Sequence, residues 1–307
     1  MITIPETDLV VHPLCLGTNV FGWSADEAQS HQVLDAYASN GGNFLDTADV
    51  YSQWKPGNQG GESETIIGKW LTKRDRSKIV VATKVSMLST RPGLSAKNIL
   101  AACDESLQRL QTDYIDIYYS HRDEIETPME ETLGAYAELI AAGKVRYIAA
   151  SQHTGARLQQ ALDISEANGL PSYIGLQDQY NLIYREPFES EQQPVLAKNH
   201  LSALPFYGLA RGFLSGKYRP GLKVESVRAE GVAEFYNDKN WAVLAKVREI
   251  AAELNAPVAA VSLAWLRTNP QVSTPIASAR TVDQLEEIVQ IVELSDDQLA
   301  SLNSLSA

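Results

Sequence analysis

Cysteine is scarce. Two residues in 307, Cys15 and Cys103, support neither a disulfide framework nor a zinc site. Both fall in apolar patterns, where a thiol behaves as a small hydrophobe. Long hydrophobic runs are also missing, and none approaches the roughly 20 residues needed to span a bilayer. The opening eight residues have neither the basic nor the apolar region of a signal peptide, so a cytoplasmic location is expected. Basic charge is in the minority, 26 Lys and Arg against 38 Asp and Glu, for a net charge of −12. That balance argues against a nucleic acid partner and reads as a solubility feature. Hydrophobic residues, at 44%, supply ample core for a chain of this length.

What is present is a regular alternation. Residues 1–12 suit a small hairpin capping the bottom of a barrel. Compact apolar runs end at Gly17, Asp46, Lys84, His121, Ala150, Gln177, Phe206 and Ile276, and each reads as a strand. Between them lie segments with helical apolar spacing and matching end signals. One example is Ser95 to Leu110, entered by a serine cap. Another is Pro128 to Ala142, with proline in its first turn and glycine after its last. The segment 208–236 after the seventh strand is too long for an ordinary connection, and such loops are usually functional. Eight β-then-α units without a composition break predict a single (β/α)8 TIM barrel over residues 1–307. A doubly wound open sheet fits less well, because no Gly-x-Gly-x-x-Gly turn follows the first strand.

In a parallel barrel all strand C-termini meet at one face, where catalytic residues gather. Asp46, Lys84 and His121 close three successive strands, and Tyr51 stands in the loop after the first of these. A tyrosine keeps its proton at neutral pH, with an ordinary pKa of about 10. A neighbouring ammonium is expected to lower that value, with Asp46 holding Lys84 in place and His121 orienting a substrate oxygen. The set suits proton delivery to a carbonyl oxygen while hydride reaches its carbon. It contains no nucleophile paired with a base, and no metal cluster.

The run Asn43-Phe-Leu-Asp-Thr-Ala-Asp-Val-Tyr51 with Gly61-Glu-Ser-Glu64 resembles the first signature of the aldo-keto reductases. Asp113 to His121 with Thr127 to Thr132 resembles the second, and 143–148 and 209–218 resemble further blocks. The likeness is nearest the bacterial and potassium-channel-beta-like branch. It implies a barrel that interconverts carbonyls and alcohols with NADPH, a small-molecule carbonyl substrate, and a catalytic tetrad at Asp46, Tyr51, Lys84 and His121. It also implies cofactor positions. Gly17 and Thr18 would approach the nicotinamide ribose, and Ser151, Gln152 and Gln177 the carboxamide. Phe206 would stack on the ring. Leu209, Ser215, Lys217 and Arg228 would face the pyrophosphate. Ser278 and Arg280 would clamp a 2′-phosphate, with Gln284 and Glu287 towards the adenosine. Gln152, Ser278 and Ile288 depart from the usual Asn, Gly and Asn. Trp23 and Trp54 are expected to wall the substrate cavity. Two other readings are an NADPH-binding regulatory subunit and an NAD-linked polyol dehydrogenase. His121 argues against the first, where Asn is usual, and Arg280 against the second.

Overall fold

A computed structural model of the chain describes residues 1–221 and 229–307; Arg228 lies outside the described residues. Ile2–Thr3 (β1) and Val10–Val11 (β2) pair antiparallel as the expected hairpin. Eight further strands follow among the described residues: Cys15–Gly17 (β3), Phe44–Asp46 (β4), Val80–Val85 (β5), Ile115–Ser120 (β6), Val145–Ser151 (β7), Tyr173–Gln177 (β8), Ser202–Ala203 (β9) and Ile276–Ala277 (β10). They pair in parallel in the order β10-β3-β4-β5-β6-β7-β8-β9. Ala203 of β9 bridges Val272 just ahead of β10, its N–H donating to Gln271 O at 2.6 Å and its carbonyl accepting from Ser273 N at 3.0 Å. These bonds join the two edge strands, and the fold is a (β/α)8 barrel.

The helices are Glu27–Ser39 (α1), Glu62–Leu71 (α2), Ala96–Leu110 (α3), Met129–Ala141 (α4), Gly155–Asn168 (α5), Gln193–Lys198 (α6), Ala229–Ala233 (α7), Asp238–Glu253 (α8), Val258–Arg267 (α9), Val282–Ile288 (α10) and Asp296–Ser306 (α11). Their starts follow capping chemistry. Asp26 accepts from Gln29 N while Gln29 reaches back to the cap, and Ser95, Thr154, Asn237 and Thr281 each accept from the third residue on. Each such side chain satisfies one of the donors a helix start leaves unpaired, worth about 1 kcal/mol.

Strand periodicity divides the core in two. Cys15, Phe44, Val80, Ala82, Ile117, Tyr119, Ala149, Ile174, Leu204 and Ile276 fill the barrel interior, and Ile4, Leu9 and Val11 of the hairpin plug its floor. The alternate residues Leu16, Leu45, Val81, Val85, Tyr118 and Ile148 pack outward against the helices. Continuing the inward rows past Phe44, Ala82 and Tyr119 brings Asp46, Lys84 and His121 to the top of the interior, because side chains alternate strictly along a strand.

One strand breaks the alternation. Ile148 pairs with Tyr173 but Ala150 pairs with Leu176, so β8 carries an extra residue there. Ile174 faces the interior and Leu176 the outer layer. Strict alternation from Ile174 would send Gln177 outward; the bulge turns it inward instead. Gly175 sits at this irregularity, where an added Cβ would come within 2.5 Å of Ser202 O.

Candidate active site

The loop after β4 is built as a continuation of the sheet. Thr47 N donates to Ala82 O at 2.9 Å and Asp49 N to Lys84 O at 3.3 Å, after which Tyr51 N turns back to Ala48 O. Ser52, at φ +73, anchors the far side by donating to Phe21 O at 2.6 Å. Tyr51 is thereby folded over the barrel mouth. Lys84 Nζ reaches three acceptors, Asp46 Oδ2 and Thr47 O at 2.7 Å each and Tyr51 Oη at 3.0 Å. An ammonium has three protons to donate, so the count fits a charged lysine even though burial pulls its pKa below the usual value and Asp46 pulls it back up. Asp46 is satisfied on both oxygens, with Gln177 Nε2 donating to Oδ1 at 2.8 Å. Tyr51 Oη lies 3.3 Å from Asp46 Oδ2, a long contact that leaves its proton free to turn towards the mouth. The His121 ring stands edge-on to Tyr51 with centroids 5.9 Å apart.

The electrostatics differ from the sequence expectation at one point. Burial first, and then the negative Asp46, hold the Tyr51 hydroxyl well above its ordinary range, outweighing any downward pull of the Lys84 ammonium. Tyr51 is therefore fully protonated at neutral pH. Burial, with help from Lys84 and Arg122, pushes His121 well below its usual pKa. Its imidazole is neutral, and Nδ1 is buried without a hydrogen-bond partner.

A cleft of about 880 Å³ opens over this group, within the range of about 300–1,000 Å³ of ligand sites. Asp46, Tyr51 and His121 line it, and Lys84 lies beneath them, fully buried. Gly17, Ser151, Gln152, Gln177, Phe206, Leu209, Ser215, Lys217, Ser278, Arg280, Gln284 and Glu287 all reach the cleft, as does Trp54. Ser151 Oγ is buried with no partner. Several of the others are already engaged. Gln152 Nε2 donates to His121 O at 2.9 Å, Ser215 Oγ to Gly212 O at 2.7 Å, and Gln284 Oε1 accepts from Arg280 N at 3.0 Å.

Thr18, expected to approach the nicotinamide ribose, and Trp23, expected as a cavity wall, do not line the cleft itself. Thr18 is fully buried behind the cleft, its N and Oγ1 both donating to Asp46 O, and Ser63 Oγ of α2 donates to Thr18 O and Oγ1. It ties β3, β4 and α2 together. Trp23 backs Trp54 edge-on at 5.7 Å, and Trp54, which meets Tyr51 at 6.2 Å, forms the wall itself.

Sequence reasoning did not single out Asn19, Met87, Arg122 and Arg211, which also line the cleft. Arg122 directly follows His121, and that adjacency was the available signal. Nor did it single out Asp49, whose carboxyl is buried with no partner on either oxygen. Burial and the nearby Glu64 raise Asp49 to about 7, against the opposing pull of Arg109 and Arg91. Glu64 itself accepts from Thr83 Oγ1 at 2.5 Å and Arg109 Nε at 2.6 Å. Among the described residues no cluster of three metal-ligating side chains occurs, and no helix is long and apolar enough to cross a membrane.

Comparison with known proteins finds relatives along nearly the whole chain. The model of the aldo/keto reductase family matches residues 13–307. The chain is 34% identical to the uncharacterized oxidoreductase YrpG of Bacillus subtilis, covering 98% of this chain and 94% of that protein. It is 32% identical to the versiconal hemiacetal acetate reductase of Aspergillus parasiticus (89% and 84% covered) and 31% to a probable voltage-gated potassium channel subunit beta of Arabidopsis thaliana (94% and 90%). A match over nearly the whole chain, on an eight-stranded barrel, makes this protein a member of the aldo/keto reductase family of oxidoreductases.

Proposed function

We propose that this protein reduces aldehydes or ketones to alcohols with NADPH, Tyr51 acting as the general acid. The observation that carries the reading is the buried Lys84 ammonium, whose three protons go to Asp46, Thr47 O and Tyr51 Oη at 2.7, 2.7 and 3.0 Å. Bound NADPH would supply hydride to the carbonyl carbon. The protein's part is to hold the carbonyl and to move a proton. His121, neutral and facing the cleft, donates one N–H to the carbonyl oxygen and fixes its direction. Tyr51 Oη then gives its proton to that oxygen. The cost of ionising Tyr51 in a buried setting is offset at that moment, because Lys84 Nζ already donates to the oxygen that becomes negative. Stabilisation placed where charge develops is the kind that accelerates a step. Asp46 and Gln177 keep the lysine pointed at Tyr51.

Support for a nicotinamide dinucleotide comes from unspent polar groups along the cleft. Ser151 Oγ is buried and partnerless where a carboxamide would sit, and such groups in a native interior call for a partner. Arg280 lines the other part of the cleft, and its guanidinium has no ion-pair partner among the described residues. A guanidinium there suits a 2′-phosphate, which is the basis for NADPH over NADH. The regulatory-subunit reading draws on the potassium channel relative, but His121 and the complete proton-delivery set favour catalysis.

The test is NADPH oxidation followed by absorbance over aromatic, aliphatic and sugar aldehydes, with Tyr51→Phe alongside. Turnover by the wild type and a loss of about 100-fold or more in the variant, the scale of general-acid catalysis, is the expected result. Unchanged turnover in Tyr51→Phe would remove Tyr51 as the acid.

A further inference from the structure

A second, smaller pocket of about 300 Å³ adjoins the cleft, lined by Ser86, Met87, Pro92, Gly93, Arg122, Asp123 and Glu124. Met87 and Arg122 line both cavities, so the side pocket lies against the catalytic cleft with these two residues at the boundary. Its walls follow the catalytic strands. Ser86 comes two residues after Lys84, and Arg122 one residue after His121.

The polar groups of the side pocket divide into spent and unspent. Asp123 is held by Arg157, Nε to Oδ2 at 2.8 Å and Nη2 to Oδ1 at 2.9 Å. Glu124 accepts from Thr127 N, Leu94 N and Thr127 Oγ1 at 2.8, 3.1 and 2.5 Å. Both carboxylates are thus engaged by groups of the protein, Asp123 by α5 and Glu124 by its own loop and the turn before α3. The Arg122 side chain, by contrast, is exposed and makes no hydrogen bond or ion pair among the described residues, so solvent meets its guanidinium, and Ser86 Oγ is buried without a partner. What a ligand could engage in place of water is thus donor capacity, the N–H fork of Arg122, with one buried hydroxyl beside it.

Ser86 also carries backbone strain. Its φ is +113, unusual for a residue with a side chain, and Gly93 N donating to its carbonyl at 3.0 Å locks the turn. Such conformations persist where the surroundings impose them, and they cluster at ligand sites. Here the strained turn sets Ser86 in the lining of the side pocket.

Resting on the reductase reading above, we propose that the side pocket binds a carboxylate on the far end of the substrate, held by Arg122 and Ser86 while the carbonyl lies at Tyr51 and His121. A carboxylate matches the planar fork of a guanidinium in a way that neutral groups do not. The substrate class is then the aldehyde acids, with apolar chain passing over Met87.

The test compares 4-oxobutanoate and 5-oxopentanoate with butanal and pentanal as substrates of the wild type, Arg122→Gln, Arg122→Lys and Ser86→Ala. The ratio of kcat/KM for acid over neutral aldehyde is expected to fall about tenfold in Arg122→Gln, the scale of one charge-assisted contact, less in Ser86→Ala, and to recover partly in Arg122→Lys. A second arm titrates 4-oxobutanoate into Tyr51→Phe, with and without NADP+, following tryptophan fluorescence. Weaker binding on adding Arg122→Gln, and loss of the difference in high salt, supports the side pocket even if no aldehyde turns over, so failure of the reductase reading stays distinguishable. A ratio that Arg122→Gln leaves unchanged, together with unchanged binding, overturns the proposal. A loss seen equally with a neutral hydroxylated aldehyde such as glyceraldehyde also overturns it, assigning the pocket to polar tails in general.

Discussion

Replacing Asp49 by Asn removes a buried carboxyl whose pKa lies at about 7 and leaves the shape of the side chain nearly unchanged. In the unfolded chain the same group titrates near 3.9. Between the two values the native state holds a proton that the unfolded state has released, so stability falls as pH rises through this window. The charges facing Asp49 are Glu64, which raises its pKa, and Arg109 and Arg91, which lower it. Integrating the linkage relation from pH 5 to pH 8 with these two pKa values gives a loss of roughly 2 to 3 kcal/mol from this group. The amide of Asn cannot ionise, so the variant is expected to lack that part of the slope. Urea unfolding of both proteins at several pH values from 5 to 8 measures it, read as the wild-type minus variant difference. The difference matters because His12, His121 and His153 are also buried, with pKa values lowered. Their contribution has the opposite sign, being recovered as pH rises, and it cancels between the two proteins. Parallel pH profiles for wild type and variant would refute the argument and show Asp49 ionised throughout the range from pH 5 to 8.

Three further outcomes follow from the same structure. Gln177→Leu leaves Asp46 Oδ1 without its donor. It is expected to cost about 1–3 kcal/mol in stability and to lower turnover more than NADPH affinity, measured by unfolding and by kcat beside cofactor Kd. Arg280→Met is expected to weaken NADPH binding by about tenfold or more, the scale of a charge-assisted bidentate contact, while leaving NADH binding little changed; equal loss for both cofactors would count against the 2′-phosphate role. Gly175→Ala puts a methyl group 2.5 Å from Ser202 O. It should destabilise the barrel by about 1–3 kcal/mol and reduce activity through Gln177, as read by thermal unfolding and NADPH oxidation.

Much of the barrel was legible because its signals are local. Period-two runs, 3.6-residue spacing, serine and proline at helix starts and glycine at helix ends depend on neighbours a few residues away. They located the eight strands and placed α3 and α4 within a residue at each end. Because strand side chains alternate, the same reading placed Asp46, Lys84 and His121 at one face. Expected bounds drifted where local signals weaken. The seventh strand, expected to run to Phe206, stops at Ala203.

What only the tertiary structure decided is the direction in which particular side chains point. Gln177 turns into the barrel because β8 gains a residue against β7; Gly175 is the one hint of it within β8, and the mismatch itself is a relation between two strands. Thr18, read as a backbone neighbour of the cofactor, has its side chain held by Ser63, 45 positions away. Tyr51 lies beside a lysine in both readings, but the sign of its shift is set by how much protein surrounds it and by the distance to Asp46. Arg122 was visible only as the residue after His121, and its lack of a partner depends on where Arg157 and Thr127 carry Asp123 and Glu124. Sequence by itself determined the periodicities and hence the barrel and the face that holds the chemistry. Register, desolvation and the pairing of charges belong to the tertiary structure, because each is a sum over residues far apart in the chain.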